Sequence, residues 1–232
     1  MPRYAIYYCP DTTSHWWETW SKWLGRYPDQ EEEIPQLQCP GISKERFYQF
    51  TENPRRYGLH ATLKAPFFLN QTSTFDDVLK ATYQICQQHT PFEIDLELLL
   101  YGDFLALVSK TSSNSLQLLE RDLVIQLDSF RLTLTDIQLN QRRSLGLSPR
   151  EDQLLQEWGY PFVLDCFQFH LSLTGSLKKA TKEEIEAMTN FAQMQFRALR
   201  DKIIKIDSIC IFEELEENSK LILKKRIPLL KP

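Results

Sequence analysis

Two short stretches of this chain read alike, and their likeness restricts the folds open to it. The first is Gly58-Leu59-His60-Ala61-Thr62-Leu63-Lys64; the second is Phe169-His170-Leu171-Ser172-Leu173-Thr174-Gly175. Each sets a histidine, an apolar residue, a hydroxyl residue and a leucine in succession. On a β-strand successive side chains point to opposite faces. His60, Thr62 and Lys64 then share one face, and His170, Ser172 and Thr174 share the equivalent face of their own strand. Ala61 with Leu63, and Leu171 with Leu173, fill the apolar side. An imidazole beside a hydroxyl can bind and act on an anion such as phosphate. Two such pairs facing each other make a symmetric site.

The surroundings of the motifs repeat as well. Thr74 opens a helix after the first motif, with Phe75, Val78, Leu79, Thr82 and Ile85 on one face. A strand from Phe92 to Leu100, a Gly102-Asp103 turn and a return strand from Phe104 to Ser109 follow. After the second motif, Thr181 to Glu184 is a capping box for a helix bearing Ile185, Met188, Ala192, Phe196 and Leu199. Ile203 to Phe212 is the next strand, 213–219 an acidic turn, and Leu221 to Ile227 the last strand. His60 to Ile94 spans 34 residues and His170 to Ile206 spans 36. The order predicts an α+β fold of two related repeats, 1–112 and 113–232, with antiparallel sheets and a pseudo-twofold axis that sets His60 and His170 on one cleft. No Gly/Pro/Ser-rich linker divides the chain, so a single bilobed domain, and a monomer, is expected.

The remaining segments read less regularly. Tyr4 to Cys9 is a strand, and Ser14 opens a helix that Gly25 stops. Trp16, Trp20 and Trp23 lie on one face of that helix. The stripe reads as core, with a stacking platform for a nucleobase as the alternative. Residues 26–42 are a loop, and Lys44 to Phe50 give one or two helical turns broken by Asn53-Pro54. Leu116 to Leu127 is a helix. Phe130 to Leu134, and the segment around Ile137 and Leu139, read as strands. Ser148 to Glu151 is a capping box with proline at the first helical position, and its helix runs to Trp158. Val163 to Thr174 reads as the second motif strand.

Composition excludes several classes. The net charge is −4 and the pI about 5.7, so broad attraction to nucleic acid is not expected. Five cysteines, odd in number and widely spaced, read as free thiols of a reducing cytoplasm. No CxxC, HxxxH or HExxH occurs, so no metal site is expected. The seven glycines form neither GxGxxG nor GxxxxGK[ST], which argues against a dinucleotide or P-loop site. No apolar run is long enough to span a membrane.

Two histidines flanking a phosphate suit general acid–base chemistry. One imidazole deprotonates a water and the other, as imidazolium, protonates the leaving oxygen. Thr62 and Ser172 would donate to the phosphoryl oxygens. Neither metal nor cofactor is needed. Arg55 or Arg56, Tyr57, Lys64 and Thr174 are candidates for holding the substrate. His89, between a helix end and Pro91, reads as exposed and structural.

The two H-φ-[ST]-φ motifs in a duplicated α+β chain resemble the two-histidine (2H) phosphoesterase superfamily. The strings RRYGLHATLKAPF (Arg55 to Phe67), WGYPFV (Trp158 to Val163) and FQFHLSLTG (Phe167 to Gly175) resemble its branch associated with bacterial phosphonate-degradation operons. The opening RYAIYYCP and the segment WLGR are similar too. The resemblance implies the 2H fold and opening of a cyclic phosphate, on a ribose or at an RNA or nucleotide end. Ser172 stands where the family has threonine, and a hydroxyl is kept. The competing expectation is a protein of the same fold that binds a nucleotide or RNA end without turning it over.

Overall fold

The computed structural model of the protein describes residues 1–144, 146–196 and 203–230. It has a mixed α+β architecture built on two four-stranded antiparallel sheets. The strands are β1 (Arg3–Tyr8), β2 (Ala61–Phe68), β3 (Phe92–Tyr101), β4 (Phe104–Ser109), β5 (His170–Ser172), β6 (Ile203–Ile206), β7 (Ser208–Glu214) and β8 (Ile222–Pro228). The helices are α1 (His15–Leu24), α2 (Lys44–Tyr57), α3 (Phe75–Cys86), α4 (Asn114–Gln126), α5 (Asp136–Arg143), α6 (Pro149–Trp158) and α7 (Lys182–Gln195).

One sheet runs β2-β1-β7-β8 and the other β5-β4-β3-β6. Each motif strand, β2 or β5, is therefore the edge of its own sheet. Each sheet also takes strands from both halves of the sequence. The hairpin β3–β4 lies beside β5, and β7–β8 lie beside β1. The two halves of the sequence thus interlock through the sheets. The main apolar core includes Ile6 and Leu63 of one sheet, Leu96 and Leu107 of the other, and Trp20 and Trp23 of α1. Burying such a core supplies the main driving force for folding, at roughly 25 cal/mol per Å² of apolar surface.

The tryptophan stripe is core. Trp20 and Trp23 are fully buried, Trp16 partly, and Trp23 Nε1 donates to the Leu173 carbonyl at 2.8 Å. That bond fastens α1 to the end of the second motif. Ser14 caps α1 by accepting from the Trp17 N–H, and Gly25 ends it in the left-handed conformation.

Several elements differ from the sequence expectation. Helix α2 does not break at Asn53-Pro54 but continues to Tyr57. Pro54 has no N–H to offer the carbonyl four residues earlier, that of Phe50. This carbonyl instead accepts the Gly175 N–H at 2.7 Å, which ties α2 to the second motif. The segment 135–143 is helical, not a strand, because Thr135 and Gln138 form a reciprocal capping box. Only His170 to Ser172 of the stretch 163–174 is a strand; Leu164–Cys166 is a 3₁₀ turn. The strand 203–212 is divided at Asp207. Leu199 of the expected α7 face lies outside the described residues.

Candidate active site

Strand β2 leads directly out of α2. Gly58 ends that helix at φ 74°, a conformation open to glycine at little cost, and His60 follows two residues later. The buried Arg26 fixes the same corner. Its guanidinium donates to the carbonyls of Arg55, Arg56 and Leu221, each at 3.0 Å. Burial pushes its pKa down to about 10. Nothing in the local sequence around Arg26 signals this role, because its partners are all backbone atoms brought in by the fold.

The two histidines are held alike. His60 Nδ1 lies 2.9 Å from the Gly58 carbonyl, and His170 Nδ1 lies 2.8 Å from the Gln168 carbonyl. A carbonyl only accepts, so each Nδ1 carries a proton and each Nε2 is left for chemistry. Aromatic rings brace both imidazoles. His60 lies 4.2 Å from the Tyr7 ring and 5.5 Å from that of Tyr57. His170 lies 5.7 Å from both Tyr101 and Phe104. Tyr7, Tyr101 and Phe104 were not among the residues singled out from the sequence. They reach the histidines through strand pairing, which sequence spacing does not display.

The motifs converge. Thr62 of β2 and His170 of β5 line one cavity of about 510 Å³, together with Tyr101, Phe104 and Tyr160; His60 and Ser172 are not among its lining residues. Ser172 is half-buried and lies on the His170 face of its short strand. His170 is near enough to His60 for its charge to disfavour a proton there. Burial pushes His60 down to about 4, opposed by the Gly58 carbonyl and reinforced by His170 and Arg26. Burial also lowers His170, opposed by the Gln168 carbonyl. Both imidazoles are therefore neutral near pH 7 until a negative charge arrives.

The other candidates divide. Tyr57 stacks on His60, and Arg56 Nη1 donates to the Tyr57 hydroxyl at 3.2 Å. Arg56 also pairs with Glu214 and donates to the Ser219 carbonyl, so its guanidinium positions Tyr57 and is already partnered. Arg55 is buried under the Tyr48 ring and bonded to Thr51. Lys64 is buried, with Nζ 2.9 Å from the Val124 carbonyl and 3.7 Å from Asp128, so it faces the neighbouring wall. Burial pushes it down to about 8. Thr174 is a correction to the sequence reading. The strand ends at Ser172, so the alternation stops there, and the Thr174 hydroxyl is buried against the Leu105 N–H at 3.0 Å. His89 is another, half-buried and 3.0 Å from Asp122.

Among the described residues no three His, Cys, Asp or Glu side chains converge as metal ligands would. The cysteines are free; Cys9, Cys39, Cys86 and Cys210 are buried, and Cys166 is half-buried at the cavity wall. No helix among the described residues is long and apolar enough to cross a membrane.

A profile of the family described as "Protein of unknown function (DUF1045)" matches residues 62–222. Ribose 1,5-bisphosphate phosphokinase PhnN of Janthinobacterium sp. (strain Marseille) is similar, with 34% identity over 230 residues, or 98% of this chain and 51% of that protein. The protein of the same name from Laribacter hongkongensis (strain HLHK9) is 30% identical over 175 residues, or 75% of this chain and 40% of its own. The chain thus spans about half the length of the curated relatives it matches. Among solved structures, a crystal structure of a phosphoesterase aligns over 99% of both chains at TM-score 0.45 and 12% identity. The structure of Kluyveromyces marxianus Usb1 covers 98% of this chain and 97% of its own at TM-score 0.40 and 10% identity. Neither structural likeness is close enough to carry a conclusion.

Proposed function

The chain belongs to the DUF1045 family, and from that premise we propose that it is a metal-independent phosphodiesterase of the two-histidine type, opening a cyclic phosphate on a ribose or nucleotide. The observation that carries this reading is the matched anchoring of His60 and His170, Nδ1 to the carbonyl two residues back. It leaves two Nε2 atoms of the same tautomer for one substrate. A neutral Nε2 takes a proton from water as the water oxygen bonds to phosphorus. The other imidazole, protonated at Nε2, gives its proton to the ribose oxygen as the P–O bond breaks. The products are a phosphate monoester and a free hydroxyl, and the two imidazoles have exchanged protonation states.

Thr62, on the cavity wall, donates to a phosphoryl oxygen, and Ser172 does so from the other motif. The substrate itself supplies the negative charge that the histidines need. Its negative charge raises both imidazole pKa values, so one histidine gains its proton as the phosphate enters.

The relatives' name describes proteins about twice as long as the match. These 232 residues contain no GxxxxGK[ST], the loop that cradles phosphates in P-loop kinases. We assign the kinase chemistry of those relatives to the part outside the alignment. The phosphorylated ribose in that name supports a ribose phosphate as substrate here. Phosphorus NMR of the protein with 2′,3′-cyclic AMP tests the reading. A new monoester resonance supports it, and an unchanged spectrum with that ester and with other ribose cyclic phosphates refutes it.

A further inference from the structure

Next to the histidine cavity lies a second one, of about 230 Å³, which shares Ala65, Tyr160 and Val163 with it. Four cationic side chains line this space: Arg3, Lys64, Arg131 and Arg142. The one acid among its lining residues is Glu217, which is exposed. Three of the cations have protein partners. Arg3 pairs with Glu214, Lys64 with Asp128 and the Val124 carbonyl, and Arg131 with Asp128 and the Glu157 carbonyl. Arg142, half-buried on α5, donates to the Gln138 carbonyl at 3.2 Å and has no carboxylate partner among the described residues.

Burial of a guanidinium without a counter-charge is unfavourable. Arg142 carries that penalty, and the nearby Arg3 adds repulsion, so its pKa is lowered. An anion between the two guanidiniums removes both effects. The wall also contains Trp158, whose indole N–H is buried with no acceptor among the described residues. The cavity is therefore rich in donors and positive charge, with Glu217 as its one acid. Arginine's planar fork fits the tetrahedral oxygens of a phosphate monoester.

Resting on the reading of the histidine cleft given above, we propose that this cavity is a second anion subsite, held by Arg142, the cation of its wall with no carboxylate partner among the described residues. The substrate then carries a terminal phosphate monoester as well as the cyclic phosphate. The two cavities adjoin at Ala65, Tyr160 and Val163, so one small molecule can present a phosphate to each. Such a substrate is the product of a reaction that leaves one phosphate on a primary hydroxyl and closes another across neighbouring hydroxyls.

The test compares kcat/KM for 2′,3′-cyclic AMP with that for the same ester bearing a 5′-phosphate. Wild-type protein should prefer the doubly phosphorylated ester by roughly tenfold or more. Arg142→Gln should bring that preference close to one, and Arg142→Lys should keep part of it. Equal preference in wild type and Arg142→Gln overturns the subsite. A second arm separates it from the cleft reading: inorganic phosphate is titrated into the His60→Ala/His170→Ala protein with and without Arg142→Gln. Binding that weakens roughly tenfold with Arg142→Gln supports the subsite even where neither ester is hydrolysed. Absent or equal binding overturns it, whatever the ester assay gives.

Discussion

His60 and His170 are held by the same bond, each Nδ1 donating to the carbonyl two residues earlier, at 2.9 Å and 2.8 Å. For His60 that carbonyl belongs to Gly58, at φ 74° and ψ −177°. A Cβ there would meet Arg26 Nη2 at 3.0 Å and the Pro28 Cα at 3.2 Å. Gly58→Ala should therefore destabilise the protein by roughly 1–3 kcal/mol in urea unfolding. It should also lower kcat, because the carbonyl that orients His60 must shift. A variant as stable and as active as wild type would show that the corner is not tightly determined.

The lowered imidazole pKa values fix a direction for pH dependence. With His60 near 4 and His170 below its ordinary range, the singly protonated free enzyme is most populated on the acid side of the usual 6.5. The kcat/KM profile should peak there. The kcat profile, which reports the phosphate-bound form, should have its limbs at higher pH. Coincident profiles would contradict the account.

Stability should follow the same group. His60 is near 4 when folded and near 6.5 when unfolded, so between those values the unfolded chain binds more protons. Stability should fall as pH drops through that window, by at most about 3 kcal/mol from this residue. His60→Gln should flatten that part of the curve in denaturant titrations at pH 4 to 7, and an unaltered slope would argue that His60 is not desolvated.

The tryptophans give a packing test. Trp23 is fully buried against Phe47, Phe191 and Phe196 and bonded to the Leu173 carbonyl. Trp23→Ala should cost roughly 3–5 kcal/mol. A loss well below 1 kcal/mol, with impaired nucleotide binding, would revive the stacking platform.

Much of this was legible from residue types and spacing. Ser14, Thr74, Ser148 and Thr181 mark helix starts because capping is a local interaction, and each accepts the backbone N–H three residues on. The motif histidines were legible because two copies carry more information than one. The box at Thr135 and Gln138 was equally local, but the alternating Leu132 and Leu134 before it suggested a strand. Arg142, on the helix that follows, was missed with it. Tyr101 and Phe104 reach His170 only because β4 pairs with β5, a contact across some sixty residues. Strand alternation carried past Ser172 points Thr174 into the cleft, but the backbone bends away there to meet Leu105.

Metal removal provides a separate check. Turnover should persist in EDTA, since neither the proton transfers nor the hydroxyl contacts use a metal. Activity lost to chelation and restored by zinc or manganese would contradict the mechanism.

The most direct measurement is the turnover of ribose cyclic phosphates, with and without a terminal phosphate, by wild type, His60→Ala, His170→Ala and the double variant. The account predicts hydrolysis by wild type and a fall in kcat of roughly 10²–10⁴-fold for each single variant. The double variant should lose far less than the product of the two, because the imidazoles act as a unit. Near-normal turnover in either single variant, or a wild type that binds the cyclic esters and leaves them intact, would contradict the two-histidine mechanism.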